Sequence, residues 1–147
     1  PMPALATAIQ EDMKQIGLNV TINSMEVNTF LSDVWAGGNY DMTISFTTAR
    51  TKDMDTVWST LFLSKNIGAG NSARYTNLEM DTLLAKARGE VDPVKREGLY
   101  AEAIEIFRED IPLLALYYEY SNRVYSKDLL VDKGLVEYDM VYYYSWK

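Results

Sequence analysis

The chain has 147 residues, 48% of them hydrophobic, a net charge of −7 and an isoelectric point near 4.6. Length and apolar content suit one domain with a sizeable core, and the acidity argues against nucleic acid, whose phosphates need a basic face. Cysteine and histidine are both absent, which removes disulfides, thiolate chemistry, the commonest transition-metal ligand and any Ser-His-Asp arrangement built from this chain alone.

The opening PMPALATAIQEDMKQIG enters a helix at once, with Leu5, Ile9, Met13 and Ile16 at helical spacing and Gly17 where a helix stops. It carries neither a signal-peptide pattern nor a lipid-attachment cysteine, so either the protein is cytosolic or these residues belong to a longer chain. No apolar run approaches the ~18 residues of a membrane span. A half-buried strand is predicted next, with Leu18, Val20 and Ile22 on one face and Asn19, Thr21 and Asn23 on the other. Asn28 is placed to cap a second helix, whose apolar side is Phe30, Leu31, Val34 and Trp35 and whose end is Gly37, Gly38 and Asn39. Tyr40, Met42, Ile44 and Phe46 then alternate with polar residues as a second strand.

Strand, short helix and strand in this order predict an α/β fold with a parallel, right-handed crossover. In such sheets ligands sit beyond the carboxyl ends of the strands. Thr47, Thr48, Ala49, Arg50 and Thr51 fall at that place.

A helix over residues 55–63 is expected to turn Val57, Trp58, Leu61 and Phe62 inward. The Gly/Ser/Asn loop of residues 64–76 is the softest boundary in a chain treated as one domain, 1–147. Two helices follow. Asn77 caps the first, with Met80, Leu83, Leu84 and Ala87 as its stripe. Asp92 and Pro93 open the second, with Leu99, Tyr100, Ala103, Ile104, Ile106 and Phe107 as its core face. After Pro112, LLALYYEYSNRVYS predicts one or two strands, and the Tyr-rich tail is β-prone.

Several residues have both a structural and a chemical reading. Asp53 and Asp55 suit helix capping, or a metal or acid-base pair. Glu109 and Asp110 suit solvated acids at a helix end. GAGNSARYTN has the glycines of an anion loop without the spacing of a phosphate-binding loop, and otherwise suits a surface loop. The tyrosines pack in strands or line a binding surface. Arg50, flanked by Thr47, Thr48 and Thr51, offers a fork of donors to a carboxylate or phosphate. Its alternative is a surface salt bridge to Asp53 or Asp55.

Taken together, ATAIQEDMKQIGLNVTINSMEVNTFLSDVWAGGNYDMTI and NSARYTNLEMDTLLAKARGEVDPVKREGLYAEAIEIFREDIPLLALYYEYSNRVY resemble the extracellular solute-binding proteins of family 5, the peptide/nickel class serving ATP-binding-cassette importers. The resemblance implies part of a periplasmic-binding-protein type II lobe, a parallel or mixed sheet flanked by helices. It implies a C-terminal portion of the second of two lobes hinged around a ligand, with the N-terminal lobe upstream. The implied partners are a peptide or small-molecule ligand and a membrane permease, with no nucleic acid, no cofactor and no catalysis. The implied location is periplasmic or extracellular, free or held by a lipid anchor.

In peptide-binding members, the segment after the second strand resembles Trp-x-x-Asp, and its acid meets the peptide's α-amino group. Thr47 and Arg50 stand at those positions here, and Asp53-Met54-Asp55 resembles the family's Asp-Pro-Asp. The resemblance therefore implies a ligand site at Arg50, Thr47, Thr48 and Thr51 with its charge inverted. That favours an anionic solute or a carboxylate-bearing metal chelate, nickel included, over a free amino terminus. The alternatives are a carboxylate- or metal-dependent hydrolase and a Tyr-rich interaction domain.

Overall fold

A computed structural model describes residues 2–47, 53–118, 124, 126–131 and 144–146. Helix α1, Met2–Gln15, stops where the sequence predicts. Gly17 takes φ +83°, its N–H donates to Lys14 O, and Leu18 N–H reaches back to Met13 O. A left-handed residue in this position closes the last carbonyls of a helix, and glycine adopts it without a Cβ clash.

Helix α2, Val27–Thr29, runs directly into a π-helical stretch, Phe30–Ala36. Its cap is Glu26 rather than the expected Asn28. The Glu26 carboxylate accepts from Asn28 N–H and Thr29 N–H, and the extended backbone of residue 26 aims it there. Among the described residues of this region, Val34 alone is buried.

Three helices build the core. Helix α3, Met54–Phe62, is capped by Asp53; α4, Leu78–Gly89, by Asn77; and α5, Pro93–Asp110, by Asp92 with Pro93 at its first turn. Each cap side chain accepts backbone N–H groups that the first turn leaves without intrahelical partners. Helix α4 packs against both α3 and α5. Phe62, Leu63, Met80, Leu83, Leu84, Ala87, Tyr100 and Ala103 are buried together, with Trp58, Leu99, Ile106 and Phe107 packed against them. The rings of Trp58, Phe62 and Phe107 lie 5.1–5.7 Å apart in tilted and edge-on contacts, the arrangement their quadrupoles favour.

The sheet departs from expectation. Among the described residues the strands are β1, Leu129–Val131, and β2, Tyr144–Trp146, paired antiparallel with Leu130 opposite Ser145. Residues 18–23 and 40–46 belong to no ladder, and neither do residues 111–118. Alternation records which way side chains point, but a strand exists only where a neighbour supplies hydrogen bonds. Here the apolar faces stay open: Ile22 is 38%, Met42 49% and Phe46 73% exposed. The expected parallel crossover is thus not formed among the described residues.

Asp110 ties the ends of two helices. Its carboxylate accepts from Tyr75 Oη at 2.5 Å and from Asn77 Nδ2 at 2.8 Å, while Asn77 Oδ1 caps α4. The next residue, Ile111, sits at φ 44°, costly for a β-branched side chain, and its N–H closes onto Phe107 O. The Tyr75 hydroxyl, then Asn77, hold the Asp110 carboxyl below its ordinary pKa of 3.8. A depressed carboxylate contributes stability above the unfolded-state pKa and loses it as pH falls through the folded one. Acid melts from about pH 6 downward should therefore show Asp110→Asn less stable at neutral pH and less sensitive below pH 3.8 than the parent. Parallel melting curves for the two proteins would contradict this.

Candidate functional site

The candidate ligand segment lies between the extended stretch ending at Thr47 and the capped start of α3. Thr47 is exposed. Thr48, Arg50 and Thr51 lie outside the described residues, so the described part of the site is its two flanks.

The flank at α3 is held by charge. Asp53 Oδ1 accepts from Asp55 N–H at 3.0 Å and from Arg96 Nη2 of α5 at 2.6 Å. The Arg96 guanidinium lies 5.7 Å from the centre of the buried Tyr100 ring. Asp55 receives Arg88 Nε of α4 at 3.0 and 3.2 Å and the Ser59 hydroxyl at 2.6 Å. Two acids two residues apart thus meet arginines from two different helices. The Arg96 hydrogen bond, then the Asp55 N–H, push the Asp53 carboxyl below its ordinary range. A carboxylate held ionised in an ion pair is a poor general acid at neutral pH. The geometry suits Asp53 to capping and both acids to anchoring α3. Among the described residues, no group of three His, Cys, Asp or Glu side chains is arranged to hold a metal ion.

The Gly/Asn loop is more ordered in its interior than its composition suggests. Asn71 is fully buried. Its Nδ2 donates to Leu63 O and Tyr75 O, and its Oδ1 accepts from Tyr75 N–H. A Cβ on Gly70 would fall 2.2 Å from Thr60 Cγ2, so only glycine lets the loop lie this close to α3. The Tyr40 hydroxyl donates to Ser72 O, which joins the extended stretch to the same loop. Among the tyrosines, Tyr75 and Tyr100 serve packing, while Tyr117 and Tyr118 are exposed. A shallow groove of about 220 Å³ lies elsewhere, between α1 and residues 18–20, lined by Gln10, Glu11, Lys14 and Val20 among others. It contains none of the candidate ligand residues.

Residues 1–69 match the family described as bacterial extracellular solute-binding proteins, family 5 Middle. The chain belongs to the family 5 solute-binding proteins. Di/tripeptide-binding protein 4 of Pseudomonas aeruginosa (strain UCBPP-PA14) is 32% identical over 80% of this chain and 22% of its own length. Glutathione-binding protein GsiB of Shigella dysenteriae serotype 1 is 28% identical over 82% of this chain and 25% of its own. Among solved structures, the ABC transporter-associated periplasmic binding protein DppA from Helicobacter pylori, in complex with the peptide STSA, superposes with a TM-score of 0.70. That match is 30% identical and covers 75% of this chain and 22% of DppA. The chain thus spans about a quarter or less of the length of these relatives.

Proposed function

We propose that this chain is part of the ligand-binding lobe of a solute receptor that delivers peptides or related small solutes to an ATP-binding-cassette importer. The observation that carries the reading is the DppA likeness, at TM-score 0.70 over three-quarters of the chain, to a periplasmic binding protein solved in complex with a peptide. In this reading, residues 18–23 and 40–46 are strands of the lobe's mixed sheet, and their ladder partners lie outside the described residues. The N-terminal lobe and the permease are the macromolecular partners, and the location is periplasmic or extracellular. The receptor makes and breaks no bond. Its lobes close over the solute because the closed form binds it more tightly.

Arg50, with Thr47, Thr48 and Thr51 around it, holds an anionic group of the solute. Arginine stands where peptide-binding relatives resemble an acid, and a guanidinium attracts a carboxylate and repels an ammonium. At an effective dielectric of ~20 and about 4 Å, one such contact is worth roughly 4 kcal/mol before desolvation. Arg50→Asp in the complete polypeptide should weaken glutathione binding at least tenfold, with binding of the neutral-side-chain peptide Ser-Thr-Ser-Ala maintained or improved. Titration calorimetry with both ligands checks this. Unchanged affinity for both removes Arg50 from the site.

A further inference from the structure

We propose that Arg74 is a carboxylate-recognition residue, preorganised on the loop of residues 64–76. The inference does not rest on the reading of Arg50. It starts from backbone strain. Arg74 sits at φ 54°, in the left-handed region that is costly for a residue with a Cβ. Its neighbours hold it there. The Arg74 N–H donates to Asn71 O at 3.3 Å. The buried Asn71 side chain fixes Tyr75, the next residue, through both its carbonyl and its N–H. Strain that the surroundings enforce tends to collect at ligand clamps and active sites.

The strained backbone aims a guanidinium. A Cβ built on Gly38 would fall 2.8 Å from both Cδ and Nη1 of Arg74, so the side chain lies against a turn that only glycine leaves open. The Tyr40 hydroxyl, donating to Ser72 O, pins the loop to the same turn. A cation beside a helix end can serve the last carbonyls, but here the turn answers them itself. Gly37, Gly38 and Asn39 donate their N–H groups to the carbonyls of Ser32, Val34 and Asp33 at 2.9, 2.9 and 3.0 Å. Among the described residues, Arg88, Arg96 and Arg108 each meet a carboxylate, whereas Arg74 is exposed with no ion pair and no side-chain hydrogen bond. The local sequence adds no competitor: net charge is −7, yet residues 56–78 contain Lys65 and Arg74 and no acid. A fork of donors, restrained before its ligand arrives, matches a carboxylate. A small polycarboxylate and an acidic peptide segment present the same group, and the test separates them.

The test uses the complete polypeptide with two probes, citrate and a hexaglutamate peptide, at matched ionic strength. The readouts are the Arg74 Nε–H resonance, assigned by its loss in Arg74→Lys, and the Gly38 backbone N–H, so that binding at Arg50 is not scored. A saturable shift with citrate supports the proposal and identifies a small acid. A shift with the peptide alone supports it and identifies an acidic segment. Arg74→Gln and Arg74→Gly should each weaken the Gly38 response about threefold, the yield of one exposed ion pair. Arg74→Gly should also keep or raise the urea midpoint, because glycine takes the left-handed backbone without a Cβ clash. An arginine kept only for packing predicts a lowered midpoint and no response to either probe. No saturable Arg74 shift, equal affinity in both variants, or a lowered midpoint in Arg74→Gly overturns the proposal, and each leaves the Arg50 reading intact.

Discussion

Leu84→Ala is expected to cost about 2–5 kcal/mol, the range for removing a fully buried leucine when the neighbours cannot collapse into the gap. Leu84 is 1% exposed at the middle of α4, the helix that packs against both α3 and α5. Around it stand Phe62, Leu63, Met80, Leu83, Ala87, Tyr100 and Ala103, the buried cluster of the described residues. Domains of this kind hold a net stability of about 5–15 kcal/mol, so one truncation removes a large share. Leu78→Ala is the matched control. Leu78 lies on the same helix but is 82% exposed, and its loss should stay within about 0.5 kcal/mol. Urea unfolding checks both, since a lower midpoint at constant slope reports stability alone. A Leu84→Ala loss below about 1 kcal/mol would mean that the three helices do not share one core.

The helical half of this architecture was legible because its signals are local. Asn77 and Asp92 cap the helices they precede, and the four predicted stripe residues of α4, Met80, Leu83, Leu84 and Ala87, are all buried. Gly17 ends α1 by a left-handed turn that few other residues accept. Asn28 misled for a physical reason. Asparagine is the better cap by propensity, but a cap is chosen by the backbone that is extended when the helix starts, and that is residue 26 at φ −68°, ψ 150°. Residues 18–23 and 40–46 have no ladder among the described residues for another reason. Tyr40, Met42, Ile44 and Phe46 carry the right period, yet period says nothing about where the partner strand comes from.

The candidate site divides in the same way. Asp53 as a helix cap follows from its place ahead of α3. Its arginine does not, because Arg96 is 43 residues away and Arg88 is 33 residues from Asp55. Ion pairs of that separation leave no spacing pattern, and only the packing of α4 and α5 brings them to one turn. Asp110 is similar. It looks like a solvated helix-end acid, and its role depends on Tyr75 and Asn77, 35 and 33 residues upstream. Arg50, Thr48 and Thr51 lie outside the described residues, so their assignment rests on chemistry and family likeness rather than on placement.

Replacing Asn71 should rank next to the core truncation. Asparagine in a Gly/Ser-rich loop usually signals a turn facing water, yet this side chain has no exposed surface. It answers three backbone groups at once: Leu63 O at 3.2 Å, Tyr75 O at 2.8 Å and Tyr75 N–H at 3.0 Å. Leu63 belongs to the core and Tyr75 reaches Asp110, so one amide joins the end of α3 to the start of α4 and the end of α5. Asn71→Ala leaves those groups unpaired, at about 1–3 kcal/mol for each that water cannot reach. The expected total is roughly 3 kcal/mol, with faster amide exchange at Tyr75 as its local signature. Asn71→Asp should be worse despite its shape. It keeps the acceptor for Tyr75 N–H but turns both donors into an anionic oxygen facing two carbonyls, and it buries a charge. Urea midpoints in the order parent, Asn71→Ala, Asn71→Asp support an interior clamp. An Asn71→Ala protein as stable as the parent, with Tyr75 exchange unchanged, would show that solvent already satisfies these groups.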